Sequence, residues 1–297
     1  MKILITGASS LPGYRTTLEA LRKGYKVVGL YYTHPIPVDD EKLKKVFIDI
    51  SRLDDLRRLI IKENPDVIIH MAALGDVDLC EKDKVLAWKT TVEPSMEIAS
   101  IASKIGCFII YLSTDYVFDG ERGDYKEYDT PNPVNYYGLT KLMGEIAFRS
   151  SCSSYAIVRA SSIYGFGPGR INFAKYLVVK LKAGETVKAL IDQYTSPTQA
   201  ALLGRAIIEI AEEEMEGIFH IVGERMSRYE FAVKVADVLG LDKALIQAAE
   251  MREMKWLARR PRDSSLNYER TRSLLKTDFH RKAFEILEEE YLSGEQI

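Results

Sequence analysis

Tyr137 and Lys141 stand four residues apart in Tyr137-Gly-Leu-Thr-Lys141, and on a helix that spacing puts a phenol and an ammonium on one face. A phenol near its reference pKa of about 10 exchanges protons poorly at neutral pH, and a neighbouring ammonium favours the phenolate. Thr114, upstream in Ser113-Thr-Asp115, adds a hydroxyl able to orient a carbonyl beside that phenol. Together the three form an acid/base set for interconverting a carbonyl and an alcohol. Spacing alone does not select them, because Tyr176 and Lys180 repeat it. That second pair follows the Pro168-Gly169 turn with no strand-end hydroxyl before it. The context of Tyr137 has to decide.

The elements that must position this set begin at the first residues. Lys2 to Thr6 is a short β-branched run, followed directly by Gly7-Ala-Ser-Ser-Leu-Pro-Gly13 and then a helical pattern with Leu18 and Leu21 on one face. Strand, glycine turn and helix is the arrangement in which backbone N–H groups and a helix N-terminus meet a pyrophosphate. Ser10 occupies the usual middle-glycine position, and Pro12 costs little in a first turn whose N–H groups have no helical partner. Gly7, Ser9, Ser10 and Gly13 are therefore expected at a dinucleotide. The second strand, Lys26 to Tyr32, ends in Tyr31-Tyr32-Thr33-His34 without the carboxylate that holds an NAD ribose. With Arg15 available from the glycine-loop side, Tyr32 and His34 favour NADP(H) over NAD(H). A third strand, Val46 to Ile48, leads to Asp49-Ile50, where Asp49 meets the adenine, caps a helix or is simply solvated.

Asp66-Val-Ile-Ile-His-Met-Ala-Ala73 is apolar enough for a strand buried on both faces. Its closing alanines, Ala72 and Ala73, leave room for a dinucleotide, and His70 within it reads as a satisfied core residue. After a helix carrying Ile98, Ile101 and Ile105, Cys107 to Asp115 supplies a fifth strand with Thr114 at its carboxyl end. Alternating strands and helices give an α/β fold, a Rossmann-type doubly wound parallel sheet whose ligands sit at the strands' carboxyl ends.

The chain of 297 residues, 46% hydrophobic and 28% charged, has the composition of an ordinary soluble protein. Its net charge of -2 offers no basic field for nucleic acid or an anionic membrane. The first residues enter a strand pattern at once, no run reaches the roughly 18 apolar residues of a membrane span, and a cytoplasmic location is expected. Cys80, Cys107 and Cys152 fit neither a disulfide framework nor a metal site. No metal is expected.

Longer motifs now carry a resemblance. Ser113-Thr-Asp-Tyr-Val-Phe-Asp-Gly120 and Tyr137-Gly-Leu-Thr-Lys-Leu-Met-Gly-Glu145 resemble the extended short-chain dehydrogenases, and within them the dTDP-4-dehydrorhamnose reductase family. The likeness continues through Arg159 to Gly165, Asp192 to Thr198 and Ala258 to Asn267. It implies an amino-terminal dinucleotide domain with a smaller carboxyl-terminal substrate lobe, catalysis by Thr114, Tyr137 and Lys141, and NAD(P)H-dependent reduction of a 4-keto nucleotide sugar. It also implies that Leu11 and Pro12 meet the pyrophosphate, Ala72 and Ala73 the cofactor ribose, and Lys141 the nicotinamide ribose. Gly75 stands where the rhamnose enzymes carry a threonine, and Ser162 where they tend to carry a tryptophan. Both family positions touch the sugar, so the departures bear on which sugar is used. The regulatory β subunit of methionine adenosyltransferase shares the same motifs, which leaves a non-catalytic NADP-binding subunit as an alternative. A nucleotide-sugar epimerase is another. A dehydratase would want Asp-Glu after the threonine, where Asp115 is followed by Tyr116.

The second half reads as helix (172–183), strand (186–190), helix (199–214) and strand (217–222), the last rejoining the main sheet. Residues 1–165 are thus expected to form the dinucleotide domain, with 199–222 returning to it, and 166–198 with 223–297 the substrate lobe. Arg259-Arg-Pro-Arg262 offers guanidiniums either for a diphosphate or for surface salt bridges. Arg259 and Arg260 are expected at the substrate, and so is Asp115. A homodimer or a partner enzyme is compatible with the chain.

Overall fold

In the computed structural model, which describes residues 1–294, the strand patterns assemble into one parallel sheet. The expected lobe runs to residue 297, and its last three residues lie outside the described ones. The sheet is built from β1 (Lys2–Thr6), β2 (Lys26–Tyr31), β3 (Leu43–Phe47), β4 (Val67–His70), β5 (Phe108–Thr114) and β6 (Tyr155–Ala160). After β7 (Val187–Leu190) and β8 (Tyr194–Thr195), β9 (Gly217–His220) returns as its seventh strand. The spatial order is β3-β2-β1-β4-β5-β6-β9, all parallel. Strand order therefore reverses between β1 and β4, which is where an open sheet of this kind leaves a crevice for a ligand.

Register follows from alternation. Ile3 and Ile5 of β1 pack into the core on one face, and Leu4 into the core on the other. On β5, Phe108, Ile110 and Leu112 join the first core while Ile109 and Tyr111 join the second. Each fully buried Ile or Leu contributes about 1.5 to 3 kcal/mol, and a one-residue slip would exchange the faces of a whole strand. The Ala200–Glu212 helix lies against the Leu11–Arg22 helix on the first face, and the Glu93–Ile105 and Tyr136–Ser151 helices cover the second. Two small sheets complete the fold, β7 with β11 (Ile246–Ala249) and β8 with β10 (Met226–Ser227).

Candidate active site

The crevice is lined by backbone held in place from below. Thr6 Oγ1, at the end of β1, accepts from the Met71 and Ala72 N–H groups, each at 3.0 Å, and lies 2.7 Å from His70 Nδ1. His70 Nε2 is 3.1 Å from Ser95 Oγ, which donates to Thr91 O at 2.6 Å. The only consistent proton arrangement has Thr6 donating to Nδ1 and a neutral imidazole donating from Nε2. Burial, and secondarily the Lys141 charge, depress the His70 pKa to about 3. His70 is a fully buried core residue that fixes the wall at Met71 and Ala72.

Above this network lies a cavity of about 770 Å³. It gathers Gly7, Ser9, Ser10, Tyr32, His34, Asp49, Ile50, Ala72 and Ala73, residues drawn from four strand ends. Ser10 caps the following helix, its Oγ accepting from Gly13 N–H at 3.2 Å. A Cβ on Gly13 would stand 2.2 Å from Gly7 O, so the turn closes into a cradle that no side chain could share. This geometry fits a dinucleotide pyrophosphate at a helix N-terminus. Leu11, Pro12 and Gly13 form the first helical turn and do not line the cavity. Asp49 accepts from the Ser51 N–H and hydroxyl, at 2.9 and 2.7 Å, which closes a local turn, while the helix that follows is N-capped at Arg52 without any side-chain cap, so Asp49 does not cap it.

Arg15 departs from expectation. Its guanidinium is buried, paired with Glu290 at 2.8 Å, and donates to Phe166 O at 2.7 Å. The helix face that carries it turns toward Ala200–Glu212, where a Cβ on Gly204 would stand 2.9 Å from the Arg15 carbonyl carbon. It does not reach the adenosine end of the cavity.

Tyr137 and Lys141 lie on the Tyr136–Ser151 helix, one turn apart as the spacing predicts. Asn135 caps this helix, accepting from Gly138 N–H at 2.9 Å, and Glu81 Oε2 accepts from Tyr136 N–H at 2.9 Å. Gly138 lets the helix approach β5's extension closely, since a Cβ there would be 2.1 Å from Tyr116 O. Burial raises the Tyr137 pKa, and a hydrogen bond with the Thr114 hydroxyl acts to lower it. Lys141 is 3% exposed, and burial pulls its pKa down to about 7 against the opposing pull of Glu145. The Thr114 hydroxyl donates to Asp115 Oδ1 at 3.0 Å and accepts from Tyr116 N–H at 3.2 Å.

Asp115 is a correction. Its carboxylate is 2% exposed and accepts from the hydroxyls of Thr114, Ser161 and Ser264, the last two at 2.8 and 2.5 Å. It braces β5, the loop after β6 and the carboxyl-terminal segment, and is not open to a substrate. Burial raises its pKa, the three hydroxyls opposing that shift.

Next to Tyr137, whose ring meets Tyr116 edge-on at 6.0 Å, is a second cavity of about 410 Å³. Arg228 and Arg260 both enter it, with Gln193, Trp256, Gly75 and Tyr116. Burial raises the Tyr116 pKa, and the charges of Arg228 and Arg260 act to lower it. Arg260 is anchored by Asp78 at 3.0 Å and lies 5.4 Å from the Trp256 ring centroid. Arg259 points elsewhere, into two neighbouring surface grooves, while its carbonyl accepts from Asn135 Nδ2 at 2.9 Å. Of the expected arginines only Arg260 reaches the cavity. Arg228 was invisible in the sequence because it opens a capped helix (Ser227 with Glu230) in a segment without motif. Among the described residues no group of three or more His, Cys, Asp and Glu could hold a metal ion, and no helix is long and apolar enough to cross a membrane.

Comparison with known proteins places this geometry among relatives. Residues 1–291 match the family model described as RmlD substrate binding domain. The chain is 32% identical over 272 residues to the probable low-salt glycan biosynthesis reductase Agl14 of Haloferax volcanii, covering 90% of each. It is 30% identical over 283 residues to methionine adenosyltransferase 2 subunit beta of Bos taurus, covering 92% of this chain and 82% of that one. Two solved structures superpose with a TM-score of 0.85. One is a hypothetical dTDP-4-dehydrorhamnose reductase from Sulfolobus tokodaii, 38% identical, covering 96% of this chain and 98% of that one. The other is the Bacillus anthracis dTDP-4-dehydrorhamnose reductase in complex with NADP, 28% identical, covering 98% and 99%.

Proposed function

The chain belongs to the RmlD substrate binding domain family, and from that premise we propose that it reduces a 4-keto sugar carried on a nucleotide, using NADPH in preference to NADH. It is an NAD(P)-dependent oxidoreductase of the short-chain dehydrogenase type. The observation that carries the substrate reading is the pair Arg228 and Arg260, which line one cavity together with Tyr116, the residue whose ring meets that of Tyr137 edge-on.

The residues lining the larger cavity hold the dinucleotide: the Gly7–Ser10 turn its pyrophosphate, Ala72 and Ala73 a ribose, Tyr32, His34 and Asp49 the adenosine end. When bound, the nicotinamide supplies the hydride. Tyr137 gives its phenolic proton to the sugar's carbonyl oxygen, and the Thr114 hydroxyl turns from Asp115 to hydrogen-bond that same oxygen. Lys141 favours the phenolate that remains and binds the nicotinamide ribose. The preference for NADPH rests on a second strand that ends without a carboxylate, now without help from Arg15.

Gly75 opens the wall where the rhamnose enzymes place a threonine, and Trp256 lines the same cavity. A sugar other than the rhamnose precursor is accordingly the better substrate. Incubating the protein with NADPH and a panel of nucleotide-linked 4-keto sugars, and following dinucleotide oxidation, tests the reading. Oxidation with at least one member supports it, and an inert panel removes it.

A further inference from the structure

With Arg15 taken by Glu290, the larger cavity has one guanidinium in its wall among the described residues, that of Arg170. Arg170 ends the loop that follows β6, and that loop is firmly tethered. Phe166 N–H donates to Glu290 at 2.9 Å, Arg15 donates to Phe166 O at 2.7 Å, and Lys175 Nζ donates to Gly167 O at 2.5 Å. Its far end lies on the glycine turn, where a Cβ on Gly169 would stand 3.1 Å from Leu11 N and 3.3 Å from Ser10 Cα. From there Arg170 crosses to Gly75 O at 3.2 Å and Asp76 Oδ2 at 2.9 Å. The side chains of Arg170 and Asp76 are 67% and 39% exposed, so their ion pair is weak and exchangeable.

We propose that Arg170 is the charge partner of the dinucleotide pyrophosphate and leaves Asp76 for it on binding. The inference rests on the dinucleotide reading given above. A pyrophosphate at the Ser10 turn lies beside the segment that carries Arg170, and a guanidinium meets phosphate oxygens in a two-pronged geometry that a lone exposed carboxylate cannot outcompete. Asp76 is then a competitor that keeps the guanidinium over the crevice until the dinucleotide arrives.

NADPH affinity is measured by fluorescence titration for the wild type, Arg170→Gln, Asp76→Asn and the double variant. Asn retains the helix cap that Asp76 provides to Leu79 N–H, and Arg170 is exposed, so each variant keeps the fold. Arg170→Gln is expected to bind roughly ten-fold more weakly or worse. Asp76→Asn is expected to bind about two- to five-fold more tightly, the worth of the exposed ion pair it removes. The double variant should match Arg170→Gln, because the carboxylate acts only through the arginine. Unchanged affinity in Arg170→Gln overturns the proposal, and so does a gain from Asp76→Asn that persists without the arginine. A raised Michaelis constant for the sugar nucleotide with dinucleotide affinity intact also overturns it, since Arg170 lines the smaller cavity too. Failure of the wild type to bind either dinucleotide overturns the underlying reading instead.

Discussion

The Lys141 ammonium nitrogen stands 4.1 Å from the centre of the Tyr111 ring, where the Tyr136–Ser151 helix packs on β5. The ring face offers it attraction but no hydrogen bond, so burial dominates and holds its pKa at about 7, against 10.5 for the free side chain. Between those values the unfolded chain binds a proton that the folded one does not. Stability therefore rises with pH across that window, and below about pH 7 the fold carries the full cost of a buried ammonium. Lys141→Met is expected to melt a few degrees higher than wild type near pH 6, with the gap closing as the pH rises, while turnover is lost. Thermal melts at several pH values check it. A variant that melts lower throughout contradicts the assignment.

Tyr137→Phe should cost roughly a hundred- to ten-thousand-fold in turnover with little change in dinucleotide affinity, as loss of a general acid does. Tyr176→Phe should leave activity near normal, because Tyr176 lies 41% exposed and stacks on Phe173 away from the crevice. Steady-state rates and a fluorescence titration on the two variants separate them. Equal damage from both would show that helical spacing alone had picked the tyrosine.

Within the smaller cavity, Arg228→Gln and Arg260→Gln are each expected to raise the Michaelis constant for the sugar nucleotide about ten- to a hundred-fold. Arg259→Gln should change it no more than about two-fold, since that side chain faces the outer grooves. A ranking with Arg259 foremost would move the diphosphate out of this cavity.

Behind Thr114, Glu145 and Arg159 form an ion pair at 2.7 Å with side chains 0% and 1% exposed. Ser113 donates to the same carboxylate at 2.6 Å, tying it to the strand end that carries Thr114. Glu145→Gln leaves a buried guanidinium short of its counter-charge, and a loss of about 3 to 5 kcal/mol is expected in urea unfolding. A loss under about 1 kcal/mol would mean that the pair is dispensable to the fold.

Much of this arrangement was legible because the crevice is built from strand ends and turns, whose residues stay close in sequence. Gly7 to Ser10, Ala72-Ala73, Thr114 and Tyr137 each follow a strand or open a helix, so pattern placed them. Arg15 was misread because proximity to the glycine turn does not say which side of the helix a residue faces. Asp115 looked open because its three hydroxyl partners come from β5, the loop after β6 and the carboxyl-terminal segment. The third strand begins at Leu43, before the expected Val46, because it is the sheet's edge and Lys44 and Lys45 break its apolar run. β6 was not picked out because Arg159 interrupts Tyr155–Ala160; that charge is held by the buried pair with Glu145 and by a hydrogen bond to Glu127 O at 3.0 Å. Arg228, Trp256 and Arg170 share a cavity wall while lying far apart along the chain, and no local pattern announces them.

The central claim is that hydride reaches a sugar carbonyl carbon while Tyr137 protonates its oxygen. It is tested most directly with NADPH deuterated at the transferable position, a 4-keto nucleotide sugar and analysis of the product by mass spectrometry and NMR. One deuterium is expected at the newly formed carbinol carbon, and Tyr137→Phe should give almost none. A dinucleotide that binds but stays unoxidised across the sugars, while the protein alters the rate of a methionine adenosyltransferase, would contradict the claim and make the chain a binding subunit.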